Sequence, residues 1–176
     1  ILNATPDSFS GDGLGGSVEA GLERAKALVE SGADILDVGG ESSRPGAEAV
    51  PVEEEVKRVV PLVEKISQSL DVPVSVDTTK AQVAKEALHA GAVIVNDISA
   101  FSFDPEMAAV AAETKAGIVL MHMLGTPRDM QKDPAYADLM AEIYAFLAAR
   151  ADAAVTAGIE KESIVIDPGF GFGKTV

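Results

Sequence analysis

SGADILDV (residues 31–38) decides the fold, because the same pattern recurs twice further along the chain, as AGAVIVND (90–97) and KAGIVLMH (115–122). Each stretch has a glycine followed by an apolar run that ends at a polar side chain. Glycine commonly ends a helix, and a continuous apolar run is typical of a parallel strand that is buried on both faces. We therefore interpret each stretch as a helix end followed by a buried parallel strand.

The same alternation extends over the whole chain. Strands are predicted at 1–3, 33–40, 72–76, 93–97, 117–123 and 163–167, and helices at 17–31, 52–66, 80–90, 105–115 and 136–156. Pro61 lies inside the second helix and predicts a kink or a helix restart there. Six strands separated by five helices predict an α/β fold with a parallel sheet, either doubly wound or a (β/α)8 barrel.

Polar side chains at the strand ends favour the barrel. Six different strands end at or just before Asn3, Asp37, Asp77, Asn96, His122 and Asp167. In a barrel these ends converge on one site, whereas in a doubly wound sheet they spread along an edge. We therefore expect a TIM (β/α)8 barrel with about six of its eight βα units present, and we interpret residues 1–176 as a single domain truncated at both ends.

The composition limits the partners of the chain. It has 176 residues, 47% of them hydrophobic, with a net charge of −14 and no cysteine. Such an acidic surface disfavours binding to nucleic acid or to anionic membranes, and disulfides and thiolate zinc sites are excluded. No secretory signal and no long apolar run is present, so we expect a cytoplasmic protein.

Asp77, Asn96 and Asp167 form the central constellation of candidate binding residues. Two carboxylates and an amide suit a flat heterocycle that presents an amino group and a ring N–H, because carboxylates accept those hydrogens and an amide both donates and accepts. Each residue alone could instead cap the helix that follows its strand. The set of three favours a ligand site.

Two polar loops follow the first two strands. In ESSRPG (41–46), Ser43 and Arg44 can both donate hydrogen bonds to the oxygens of a diphosphate. Asn3, which leads into NATPDSFSGDG (3–13), can supply a hard oxygen ligand to a Mg²⁺ ion held mostly by water and phosphate. The alternative is that ESSRPG is an ordinary surface turn.

Three other features favour structural roles. His122 lies in an apolar strand and is typical of a core histidine, and Glu53–Glu55 is interpreted as a solvated helix start. Lys174-Thr175 follows a glycine-rich stretch, but Pro168 stands where a phosphate-binding P-loop requires glycine.

Six motifs, in this order, resemble those of the dihydropteroate synthases. They are ILNATPDSFS (1–10), DVGGESSRPGA (37–47), VSVDTTK (74–80), NDIS (96–99), MHMLGTPRDMQ (121–131) and DPGFGFGK (167–174). The resemblance implies a TIM barrel that condenses 6-hydroxymethyl-7,8-dihydropterin diphosphate with p-aminobenzoate, giving 7,8-dihydropteroate and pyrophosphate in folate biosynthesis. It also implies that the protein is a sulfonamide target.

The resemblance also implies roles for single residues. It places the pterin ring at Asp77, Asn96 and Asp167, with Phe172, Met121 and Ile98 as the apolar lining of the pocket. It assigns Mg²⁺ to Asn3, the diphosphate to Ser43 and Arg44, and the p-aminobenzoate subsite to Phe9 and Pro45. The candidate catalytic residues are Arg44, Ser43, Asp12 and Asp7.

The chain departs from the family pattern in two respects. It reads SFSGDG where most members read SFSDGG, so that the loop aspartate is displaced to Asp12. The family's late lysine and its Arg/His pair have no counterpart, so we expect the fragment alone to be inactive. The full-length protein is expected to be a homodimer.

Two alternatives to the synthase remain. A pterin-binding methyltransferase of the methyltetrahydrofolate–corrinoid type would share the barrel and the pterin pocket, although the ESSRPG and MHMLGTPRDMQ loops argue against it. A non-catalytic pterin-binding barrel would keep the pocket without turnover. The displaced Asp12 is the feature that favours the second alternative.

Overall fold

The computed structural model describes residues 1–4, 18–42 and 49–175. The strands are β1 (Leu2–Asn3), β2 (Leu36–Gly39), β3 (Val74–Asp77), β4 (Ile94–Asp97), β5 (Gly117–Met121) and β6 (Ile164–Asp167). The helices are α1 (Val18–Glu30), α2 (Val52–Ser69), α3 (Ala81–His89), α4 (Met107–Thr114) and α5 (Leu139–Thr156), with a short 3-10 helix at Lys161–Ser163. The predicted alternation of strands and helices is confirmed.

The strands form one sheet in the order β1-β2-β3-β4-β5-β6, and all five neighbouring pairs are parallel. A doubly wound sheet reverses its strand order at a switch point, whereas a barrel keeps the order of the sequence. The sheet therefore has the topology of the TIM barrel, as the polar strand ends predicted.

The two faces of the sheet have different roles. Leu36, Val38, Val74 and Val76 alternate along β2 and β3, are buried, and belong to the core cluster that also contains residues of the helices. Because successive side chains of a strand point to opposite faces, Asp37 and Asp77 lie on the other, concave face. The core thus holds the strands while the concave face carries the polar groups.

Helix α2 differs from the sequence-based expectation at two points. It continues from Val52 to Ser69 through Pro61, so the predicted restart is wrong. Glu53 and Glu54 are exposed as expected, but Glu55 is fully buried, so the predicted solvated triplet is wrong for that residue. Glu55 precedes the buried Val59 by four residues, and that spacing places both on the inner side of the helix.

Among the described residues, no helix has both the length and the apolar character needed to cross a membrane.

Candidate active site

The first four strands bring one row of residues together at their carboxyl ends. Asn3 lies opposite Gly39, Gly39 opposite Asp77, and Asp77 opposite Asn96. A Cβ atom on Gly39 would lie 3.3 Å from Cβ of Asp77 and 3.4 Å from its Oδ2. A larger residue at position 39 would crowd that carboxyl group, so the glycine keeps the space beside Asp77 open.

Asp37 lies two residues before Gly39 on β2, and its side chain forms a hydrogen bond with that of Asn96. The Asn96 Nδ2 atom donates a hydrogen bond to Oδ2 of Asp37 at 3.3 Å. Burial raises the pKa of Asp37, and the neighbouring Ser75 and Asn96 side chains partly offset that rise. This contact uses one N–H of Asn96, and the amide has a carbonyl oxygen and a second N–H that can contact a ligand.

Asp77 lies in an environment crowded with negative charge. Its pKa is raised to about 7. Burial is the largest cause, and the negative charges of Asp37, Glu55, Asp97 and Glu41 add to it. Each of these groups disfavours a further negative charge at Asp77. The carboxyl group of Asp77 therefore changes its protonation state near neutral pH.

Asp167 ends β6, where it lies opposite Met121 of β5. Its Oδ1 atom accepts a hydrogen bond from the backbone N–H of Gly169 at 2.7 Å, and its carbonyl oxygen accepts one from the N–H of His122 at 2.9 Å. These bonds fix both the side chain and the backbone of Asp167.

The loop after β6 is held by Lys174, in an arrangement that we call the Lys174 clamp. The ammonium group lies 2.9–3.1 Å from the carbonyl oxygens of Phe172, Gly169 and His122, and 3.0 Å from Nδ1 of His122. An ammonium group has three N–H donors, which match the three carbonyl oxygens. The clamp joins the end of β5 to the loop that carries Phe172.

A cavity of about 430 Å³ opens beside Asp77. Ile98 and Phe103 give it an apolar wall, Thr78 and Lys80 lie beside Asp77, and Arg128 comes from the loop after β5. The cavity can accept a flat, partly apolar ligand with polar edges.

The model of one protein family matches the entire chain, residues 1–176, and that family is described as pterin binding enzymes. The chain belongs to the pterin-binding enzyme family.

Relatives in this family are similar to the chain over nearly its whole length. A dihydropteroate synthase of Synechocystis is 50% identical over 99% of this chain and 61% of the relative. A solved Yersinia pestis dihydropteroate synthase with a sulfonamide drug complex is 46% identical with a TM-score of 0.92, and covers 99% of this chain and 63% of that one. A Xanthomonas albilineans dihydropteroate synthase solved with 4-aminobenzoic acid is 48% identical with a TM-score of 0.90, over 99% and 61% of the two chains. The chain therefore spans about three-fifths of the length of these relatives.

Some of the site residues predicted from the sequence are described by the structure, and the others are not. Asn3, Asp77, Asn96, Asp167 and Met121 lie at the carboxyl ends of five different strands. Ile98 lies just after β4 and Phe172 in the loop after β6. The remaining predicted residues, Asp7, Phe9, Asp12, Ser43, Arg44 and Pro45, lie outside the described residues.

His122 has the structural surroundings that its apolar strand predicts. Its side chain is buried, and its ring packs edge-on against Phe146 with the ring centroids 5.0 Å apart. Burial lowers the pKa of His122, and the charge of Lys174 lowers it further.

Sequence reasoning missed Glu55, Lys80 and Lys174 as residues that hold the site. The signal for Glu55 was its place on the apolar face of α2, in line with Val59. The sequence gives a weaker indication for Lys174. Its contacts are with backbone carbonyl oxygens, whose positions depend on how the glycine-rich loop folds.

No group of three or more His, Cys, Asp or Glu side chains that could hold a metal ion occurs among the residues described. Asn3 is exposed at the end of β1. Its amide oxygen fits a Mg²⁺ ion only if water and substrate oxygens supply most of the ligands, as is common for this ion.

Proposed function

We propose that the protein carrying this chain is a dihydropteroate synthase. It condenses 6-hydroxymethyl-7,8-dihydropterin diphosphate with p-aminobenzoate and releases pyrophosphate. The observation that carries the proposal is the presence of Asp77, Asn96 and Asp167 at the carboxyl ends of β3, β4 and β6 in a fold shared with solved synthases. The relatives contain further chain beyond the region matched here, so the activity is proposed for the whole protein.

The proposed pterin site combines polar and apolar contacts. The carboxylates of Asp77 and Asp167 accept hydrogen bonds from the amino group and ring N–H groups of the pterin. Asn96, whose side chain forms a hydrogen bond with that of Asp37, presents its carbonyl oxygen and second N–H to the same ring. Met121, Ile98 and Phe172 supply the apolar lining.

Catalysis is proposed to depend on positioning and on stabilisation of the leaving group. Ser43 and Arg44 are assigned to the diphosphate, and Asp7 and Asp12 are assigned catalytic roles. Asn3 would hold Mg²⁺, and the ion would supply positive charge to the departing pyrophosphate.

The reaction is a substitution at the methylene carbon of the pterin. The bond from this carbon to the diphosphate oxygen breaks and releases pyrophosphate, while the electron-rich dihydropterin stabilises the positive charge that develops on the carbon. The aryl amine nitrogen then bonds to this carbon and loses a proton to the solvent. Phe9 and Pro45 form the subsite that orients p-aminobenzoate. The enzyme forms no covalent intermediate, and it acts in the cytoplasm as a homodimer.

A pyrophosphate-release assay on the full-length protein tests this proposal. The protein is supplied with dihydropterin diphosphate and Mg²⁺, with and without p-aminobenzoate. Release that requires p-aminobenzoate supports the synthase. Pterin binding without release would instead support the methyltransferase or the non-catalytic barrel.

A binding measurement on Asp167→Ala tests the site itself. The variant should lose about 2–3 kcal/mol of binding free energy for 6-hydroxymethyl-7,8-dihydropterin, because it removes a charged hydrogen-bond acceptor. Asp152→Ala, in the exposed part of α5, is the matched control and should bind normally. Normal pterin affinity in Asp167→Ala would exclude this residue from the site.

A further inference from the structure

Glu55 is a fully buried carboxylate next to the candidate pterin site. Its side chain is only 1% exposed. Its Oε1 atom accepts a hydrogen bond from Oγ1 of Thr78 at 2.7 Å, and its Oε2 atom accepts one from Nζ of Lys80. A carboxylate in this position requires a counter-charge, because an unpaired buried charge is strongly destabilising.

Lys80 extends the contact to the end of β2. Its ammonium group also donates to Oε2 of Glu41 at 2.6 Å, and the same oxygen accepts a hydrogen bond from the N–H of Val50 at 2.7 Å. The backbone N–H of Lys80 donates to Oγ1 of Thr78 at 3.2 Å. The ion pair thus ties helix α2 to the segments that follow β2 and β3.

Gly40, just after β2, leaves room for the side chain of Glu55 to pack against the backbone. A Cβ atom on Gly40 would lie 2.9 Å from Cγ of Glu55 and 2.7 Å from Cγ2 of Val59. The Arg58 Nη1 atom donates to the carbonyl oxygen of Gly40 at 3.1 Å. A side chain at position 40 would push α2 away, so the close approach depends on this glycine.

The network lies immediately next to Asp77. Thr78 and Lys80 follow Asp77 by one and three residues, and all three line the same cavity. The carboxylates whose negative charges raise the pKa of Asp77 are those of Asp37 from β2, Glu41 from the segment after β2, Glu55 from α2 and Asp97 from β4. Cationic groups are contributed to the cavity by Lys80 and by Arg128.

Stability alone does not account for the buried pair. Replacing a buried ion pair by apolar side chains of similar size is often neutral or stabilising. Here the charge of Glu55 is one of the causes that raise the pKa of Asp77, and Lys80, which pairs with Glu55, lines the same cavity as Asp77. A net change in either charge alters how readily Asp77 ionises.

We propose that the Lys80–Glu55 ion pair is a positioning device for Asp77, which fixes the segment after β3 and sets the electrostatic field at the carboxylate that receives the pterin ring. This inference rests on the proposed role of Asp77 in pterin binding. Lys80 and Glu55 act through Asp77 and are positioning residues.

The proposal predicts opposite effects from its two members. Glu55→Gln removes a negative charge, while its amide oxygen can still accept from Lys80 and its amide N–H can donate to the Thr78 hydroxyl, so Asp77 ionises at lower pH. Lys80→Met removes the ammonium group that Glu41 and Glu55 share and leaves their negative charges uncompensated by it, so Asp77 ionises at higher pH. A purely structural role would weaken binding in both variants, equally at every pH.

The experiment is calorimetric titration of the full-length protein with 6-hydroxymethyl-7,8-dihydropterin between about pH 6 and about pH 9. Wild-type affinity should rise through this range as Asp77 ionises. At about pH 6, Glu55→Gln should bind the pterin three- to tenfold more tightly than wild type. At neutral pH, Lys80→Met should bind it three- to tenfold more weakly, and its affinity should return to the wild-type value near about pH 9. The double variant should lie between the two single variants.

Matched controls are Glu54→Gln on α2 and Lys85→Met on α3, both at exposed positions. They should follow the wild-type curve, and thermal unfolding shows which variants are folded. If Lys80→Met does not fold, the direction of the Glu55→Gln shift decides. Weaker binding by Glu55→Gln at every pH would overturn the inference, whereas no pterin binding by wild type at any pH would overturn the proposed function.

Discussion

Asp77 and Asp167 end two strands of the same sheet, but their surroundings carry opposite charge. Four carboxylates raise the pKa of Asp77, after the larger effect of burial. Asp167 lies instead close enough to Lys174 to raise the pKa of that lysine, although burial lowers it overall. One carboxyl group is held in a negative environment and the other beside a cation.

The supporting contacts differ in the same way. The segment after β3 is tied by side-chain contacts among Glu55, Thr78 and Lys80. The loop after β6 is tied by one ammonium group that binds backbone carbonyl oxygens. The environment of Asp77 is therefore sensitive to changes of charge, whereas that of Asp167 is sensitive to the geometry of its loop. Five substitutions can separate these two responses.

The largest effect is expected for Gly169→Ala, which should disrupt the packing of the loop after Asp167 against His122. Gly169 has a φ of +68°, and its Cβ would lie 2.1 Å from the carbonyl oxygen of His122. The loop would have to move, with an expected loss of about 3 kcal/mol in the free energy of unfolding. Urea denaturation of the full-length protein measures this loss.

Gly171→Ala is its matched control. Gly171 also has a positive φ, +85°, but a Cβ there would meet no atom within 4 Å. It should cost only about 1 kcal/mol, for the left-handed backbone conformation. Equal losses in the two variants would show that the contact with His122 is unimportant.

Asp77→Asn should stabilise the protein at neutral pH by about 2 kcal/mol while it weakens pterin binding. The folded pKa of about 7 lies above the ordinary value of 3.8. Between these two values the folded state keeps a proton that the unfolded state releases, so stability falls as pH rises. The amide variant avoids this loss, and the gain should disappear in acid, where both states are protonated.

Asp167→Asn makes the same chemical change beside Lys174. Because it removes a negative charge next to a cation, no stabilisation is expected. Denaturation curves of both amide variants, recorded at acidic and neutral pH, give the comparison. A similar gain at both positions would contradict the difference in charge between the two sides.

Lys174→Met should cost about 1–2 kcal/mol of unfolding free energy, because it removes the donor to three carbonyl oxygens. It should also raise the pKa of His122, since the charge of Lys174 is one of the causes that lower it. NMR titration of the imidazole measures this shift. Lys132→Met, at an exposed position, should leave it unchanged.

The smallest effect is expected for Tyr136→Phe. The Tyr136 hydroxyl, in the segment before α5, donates a hydrogen bond to the carbonyl oxygen of Gly173 at 2.7 Å. Gly173 lies in the loop after β6. Loss of this hydrogen bond should cost about 0.5–1 kcal/mol in thermal or chemical unfolding. Tyr144→Phe, where the side chain is 77% exposed, should have no effect.

The sequence was sufficient for the architecture because the apolar strands and helix-ending glycines recur with little variation. Polar residues at the strand ends distinguished the barrel from the doubly wound sheet, and the sequential strand order confirms that choice. Element bounds were predicted less well. The strand expected at 33–40 is limited to Leu36–Gly39, because burial and pairing, which set its ends, depend on the neighbouring strand.

The residues that support the site were harder to predict than those that line it. Asp77 and Asn96 follow strands, so a simple positional rule finds them. Glu55 was predicted to be solvated because it belongs to an acidic triplet, but it is buried. Its burial depends on the close approach of Gly40. Lys80 pairs with Glu55 across 25 residues, and such a pairing is visible only after β2 and β3 are placed side by side.

This pairing across units has a consequence for recombination. Glu55 belongs to the βα unit that begins at β2, and Lys80 to the unit that begins at β3. A crossover in the segment between Ser69 and Val74 would therefore inherit the two charges from different parents. Chimeric barrels built by gene shuffling should tolerate that breakpoint only when both parents encode the same acid–base pair.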